Sequence, residues 1–256
     1  MFNLLINKML LTSVSKLKIA ATSFILCAAF FGFGAVTGNA QQKPVKYGDV
    51  VNLKNAFEGK FISYLDTRGR VMDKNTVKRS TDKNPVAAFK GVAENLFVST
   101  HKTPNRDNGS GSWKIVSAGK KNPGEPLVSG DKIYLSNMYP YGGYLDVYNQ
   151  SLPIFTSFVA ETHADFPVFT STTPNRVPNS STWTVAKTNG GDIKEGDVIT
   201  LQSNLVPTMY LETSGNVWDT RGPFEEYKQD SMYMVWVSTK DKLHDQSGNW
   251  QIMLKK

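Results

Sequence analysis

The quartet Thr-Pro-Asn-Arg occurs at 103–106 and again at 173–176, and each time a Trp stands seven residues after the Arg: Trp113 after Arg106, and Trp183 after Arg176. A recurrence of that length marks a chain assembled from similar units, and it constrains the fold more than any composition does. A third member completes the pattern. "YGDVVNLKN" (47–55), "SGDKIYLSN" (129–137) and "EGDVITLQS" (195–203) each set Gly-Asp ahead of an alternating stretch. Each is followed by a second stretch: "KFISYLDTRGRVMD" (60–73), "GGYLDVYNQSLP" (142–153) and "TMYLETSGNVWD" (208–219). The units close on "GSWKIV", "STWTVA" and "GNWQIM", which carry Trp113, Trp183 and Trp250. The third unit has "KDKL" where the others have Thr-Pro-Asn-Arg.

Apolar residues alternate at Val51 and Leu53, Ile133 and Leu135, and Ile199 and Leu201, as half-buried strands require. Helical periodicity is scarce after residue 47. Each unit offers four short strands, and twelve such strands with Gly and Pro in the connections predict an all-β barrel or sandwich. The last stretch, "WQIMLKK", is placed to close against the first. A Trp at one position of every unit reads as core filler. The Gly-Asp pairs read as turns, with Gly at positive φ and Asp bonding nearby amides. Thr-Pro-Asn-Arg reads as a repeated turn whose Arg reaches toward a neighbouring unit.

With these repeats the chain from about Val45 to Lys256 resembles a β-trefoil. The resemblance implies three pseudo-symmetric four-strand lobes, about 45–117, 127–187 and 193–256, that form a six-stranded barrel capped by three hairpins. In ricin-type lectin trefoils a carboxylate after an aliphatic strand residue accepts hydrogen bonds from sugar hydroxyls, and an aromatic on the next hairpin covers the sugar face. By that resemblance the ligand-binding candidates are Asp66, Asp146 and Glu212. Trp218 and Asp219 join them in the third lobe, and Tyr148 and Asn149 in the second, where Tyr139, Tyr141 and Tyr144 are near in sequence. The first lobe has Met72 where the third has Trp218. The chain departs from the ricin pattern at Gly111, Ser181 and Gly248, which occupy the places of a Gln. In that respect it is similar to MIR-type and fascin-like trefoils, which bind proteins or other partners as well as glycans.

The first forty residues are different in kind. Lys8, Lys16 and Lys18 precede the 18-residue apolar run "IAATSFILCAAFFGFGAV", and small residues at Gly38 and Ala40 stand where a signal peptidase cuts. We therefore expect a signal peptide over 1–40, a single domain over 41–256, and no stable membrane insertion after cleavage. The expected location is outside the cell, in a periplasm or at the cell surface. The single Cys, Cys27, lies in the leader, so a core of some 216 residues must hold the mature chain without disulfides. Losing the three leader lysines lowers the net charge from +7 to +4, and no basic block remains to track a nucleic acid.

Signatures of nucleophilic, phosphate-binding or zinc-dependent enzymes are absent from the sequence. Glu161, His163 and Asp165 form a weak metal-like group, read as a solvated loop, and no cofactor is expected. Asn108, Asn149 and Asn179 begin Asn-x-Ser acceptor patterns. The units exceed compact lobes chiefly between their second and third strands, where long loops suit recognition. The expectation is a non-catalytic binding module that is carbohydrate-binding and lectin-like, with a protein-binding protease inhibitor or adhesion component as the alternative.

Overall fold

The computed structural model describes residues 42–70, 96–140, 142–148, 166–216, 233–240 and 245–256. The chain divides into Met1–Ala40 and Gln41–Lys256, and every described residue belongs to the second. The leader, the three long inter-strand stretches and the Glu161-His163-Asp165 group lie outside the described residues.

Twelve strands are present among the described residues: β1 (Val50–Asn55), β2 (Ser63–Arg70), β3 (Leu96–His101), β4 (Trp113–Ser117), β5 (Lys132–Asn137), β6 (Tyr144–Val147), β7 (Phe166–Ser171), β8 (Trp183–Ala186), β9 (Val198–Ser203), β10 (Met209–Asn216), β11 (Tyr233–Thr239) and β12 (Trp250–Leu254). They form one twelve-stranded antiparallel sheet. The sheet closes because β1 pairs β12 on one side, with Leu53 opposite Ile252, and β4 on the other, with Val51 opposite Trp113. This corrects the β-trefoil expectation of a barrel carrying three separate hairpin caps. The hairpin strands bond to their neighbours (β1–β2, β5–β6, β9–β10) and to one another (β3–β7, β7–β11, β3–β11), so the whole is a closed antiparallel β-barrel. Closure leaves few strand edges open to intermolecular pairing.

Alternation places the core. In β5 and β9 every second residue is buried, and Ile133, Leu135, Ile199 and Leu201 face the interior. Trp113, Trp183 and Trp250 are fully buried, and each indole Nε1 donates to a strand carbonyl 3.0 Å away, of Leu65, Leu145 and Leu211 respectively. The rings therefore fill volume and also tie the closing strand of each segment to its second strand.

The turns before β1, β5 and β9 match in detail. Gly48, Gly130 and Gly196 sit at φ of 91°, 98° and 89°, a region that favours glycine. One residue later Asp49, Asp131 and Asp197 accept the amides of Lys46, Val128 and Lys194, each at 2.8 Å. Lys121 and Lys187 pair with the second and third of these carboxylates at 2.9 Å. Among the described residues no helix is long and apolar enough to cross a membrane.

Candidate functional site

The carboxylates singled out from the sequence are buried: Asp66 is 1% exposed, and Asp146 and Glu212 are 2% exposed. Their partners are the loops that lead to the Trp strands. Arg106 donates to Asp66 Oδ1 at 3.1 Å and Ser110 Oγ to Oδ2 at 2.8 Å. Arg176 donates to Asp146 Oδ1 at 3.2 Å, while Ser180 Oγ and Ser181 Oγ reach Oδ2 at 2.6 and 2.7 Å. Ser247 Oγ donates to Glu212 Oε2 at 2.8 Å. Each Arg thus locks a loop onto its own segment, not a neighbouring one, and also binds a backbone carbonyl there, of Thr67 or Val147. The place of the ricin-type Gln is explained in the first segment. A side chain at Gly111 would run into the Pro104 carbonyl and press on Asp66.

Burial raises the carboxyl groups of Asp66 and Asp146 above the ordinary value of 3.8. For Asp66 this outweighs Arg106 and Ser110, and for Asp146 it outweighs Ser180, Ser181 and Arg176. An acid that holds its proton more tightly when folded adds stability below its folded value and loses that gain as the pH rises through it. We therefore expect the stability of the native chain, relative to a D66N/D146N variant, to fall from pH 4 toward neutrality. Urea midpoints of both proteins along that range check it, and a native chain that gained stability on the variant toward neutrality would contradict the assignment.

Tyr148 is only 4% exposed. It lies beneath Arg176, whose guanidinium carbon is 4.7 Å from the ring centroid, and meets Phe169 edge-on at 6.2 Å. It supports the loop and does not form an open platform. Asn149, Trp218, Asp219 and Tyr141 lie outside the described residues.

A more exposed surface stands one alternation earlier. Tyr144, Asp146 and Tyr148 share the outward side of β6 while Leu145 and Val147 point into the core. The Arg176 loop covers Asp146 and Tyr148 but leaves Tyr144 half-exposed. Tyr134, outward on β5 and also half-exposed, meets the Tyr144 ring edge-on with centroids 5.9 Å apart. Its hydroxyl accepts from Asn175 Nδ2 at 3.1 Å. Asn175 is fixed in turn: its Oδ1 accepts from Ser181 N and Thr182 Oγ1, and its φ is 52°. Two phenol rings and a rigid polar loop converge here, a combination that offers a face to C–H groups and donors and acceptors to hydroxyls. Among the described residues no group of three or more His, Cys, Asp or Glu could hold a metal.

Sequence reasoning missed Tyr134 and Asn175 as neighbours. The available signal was that Tyr134 stands where the other segments have Asn52 and Thr200, an aromatic gained in one copy only.

No known family model matches the chain, and no curated protein matches it in sequence. Solved structures are similar in fold. One is a Caenorhabditis elegans protein of unknown function, 16% identical with a TM-score of 0.55, covering 85% of this chain and 99% of its own. Another is the SDF2-like protein of Arabidopsis thaliana, 12% identical at 0.51, covering 83% and 99%. A third is the ligand-binding domain of botulinum neurotoxin serotype D in complex with N-acetylneuraminic acid, 13% identical at 0.51, covering 83% of this chain and 42% of that one.

Proposed function

We propose that this chain is an exported, non-catalytic carbohydrate-binding module that holds a glycan against Tyr144 and Tyr134, with Asn175 and the Arg176 loop fixing the surface. The observation that carries the reading is the half-exposed pair of tyrosines in edge contact, joined to an asparagine held by its own hydrogen bonds. It is supported by a fold neighbour that holds N-acetylneuraminic acid. Asp66, Asp146 and Glu212 serve this reading as positioning groups that shape the loops.

A glycan array tests it. Removing a stacking ring takes away about 1.5–3 kcal/mol of contact, so Tyr144→Ala is expected to weaken binding roughly tenfold to a hundredfold with little change in melting temperature. An array on which the native protein binds no glycan would end the proposal. So would undiminished binding by both Tyr144→Ala and Tyr134→Ala. The same array reads Trp218→Ala, the third-lobe platform expected from the sequence. Export implies cleavage after Ala40, and the intact mass of the exported protein should correspond to a chain beginning at Gln41.

A further inference from the structure

We propose a second carbohydrate subsite on the first segment, where Tyr64 is the stacking face and Lys54 binds an anionic group of the sugar, a carboxylate or a sulfate. This rests on the glycan-binding reading above and names the ligand class as acidic glycans. The starting point is a position that repeats with one residue and varies around it. Tyr64, Tyr144 and Tyr210 occupy the same outward place on β2, β6 and β10, and all three are half-exposed. Their partners across the strand pair are Lys54, Ser136 and Gln202. The aromatic is constant and the polar partner changes, so the three faces offer one stacking surface with different recognition groups beside it.

At the first segment that group is a cation. Lys54 Nζ stands 5.3 Å from the centroid of the Tyr64 ring. None of the ion pairs among the described residues includes Lys54, whereas Lys121 and Lys187 are each neutralised by an Asp. An ammonium placed over a ring keeps its full charge and its N–H donors for a ligand, because the ring attracts the cation without accepting its protons as a carboxylate would. The surround is fixed. Tyr64 lies opposite His101 on β3, and the His101 Nδ1 accepts the Thr103 amide at 3.1 Å. Asn52, where the second segment has Tyr134, is drawn under the loop by bonds to the carbonyls of Pro104 and Gly111 at 3.0 and 2.7 Å. A sugar placed against the half-exposed Tyr64 would therefore meet Lys54, which stands over the same ring, as its polar partner.

The test uses the full mature chain on an array of neutral glycans beside their sialylated and sulfated forms. The native protein should prefer the charged forms, less so as salt is raised. Lys54→Gln should lose about tenfold of that preference while keeping its neutral binding, and Lys54→Arg should retain the preference. The sialylated and sulfated arms tell a carboxylate ligand from a sulfate. An unchanged charged-to-neutral ratio in Lys54→Gln, or no preference in the native protein, overturns this subsite and leaves the Tyr144 reading standing. No glycan binding at all overturns both.

Discussion

Trp183→Ala is expected to destabilise the protein by about 3–5 kcal/mol, the range for deleting a fully buried large aromatic. Trp183 is 0% exposed, and its Nε1 bond to the Leu145 carbonyl ties β8 to β6. The substitution opens a cavity and also leaves that buried carbonyl without its donor. A domain held without disulfides has a stability of the same order, about 5–15 kcal/mol, so a large fall in melting temperature should follow. Trp113→Ala and Trp250→Ala should behave alike, because their rings make the same bond to Leu65 and Leu211. A variant that melted normally but had lost its ligand would move these rings from scaffold to site.

Asp146→Ala is the second large effect. It removes the acceptor of three donors at once, Arg176 Nη2, Ser180 Oγ and Ser181 Oγ, at a side chain that is buried. Orphaned buried donors and a broken ion pair together cost about 3 kcal/mol. The value stays below that of a deep pair because the Arg176 side chain is 21% exposed. The loop carrying Asn175 should loosen, so binding at Tyr144 is expected to weaken even though Asp146 itself is covered. Thermal melting and the glycan array read the two consequences separately. Asp146→Asn, which keeps one acceptor oxygen, should fall between the native chain and the alanine variant on both.

Local chemistry made much of the framework legible. The Gly-Asp turns are visible because few residues other than glycine adopt the φ of Gly48, Gly130 and Gly196 comfortably. The strands were readable from alternation, and the pairing of β12 with β1 from the place of "WQIMLKK" as the closing strand of the third unit. The joining of the hairpin strands into the closed sheet was not foreseen, since pairings such as β3 with β7 link residues about seventy positions apart and leave no local signature. The burial of the carboxylates was hidden for a related reason. Alternation places Tyr144, Asp146 and Tyr148 on one face, but which of them meets solvent is decided by a loop some thirty residues later. One clue was present. Arg106 accompanies Asp66 and Arg176 accompanies Asp146, whereas the segment with Glu212 lacks the Thr-Pro-Asn-Arg sequence, which already links the Arg to the Asp.

The seam between β1 and β12 also sets the order in which the molecule can be completed. Val51 lies opposite Leu254, so the first strand of the barrel waits for the last one made, and the intervening two hundred or so residues must be gathered before those bonds form. Closing so long a span costs only modestly more entropy than a shorter one, because the cost grows logarithmically. It does make a slow folder, since rates fall as native contacts become more distant in sequence. Until Trp250–Leu254 docks, β1 and β9 each present an unsatisfied edge. A chain cut short before β12 would therefore carry two adhesive strands and self-associate in place of finishing its barrel.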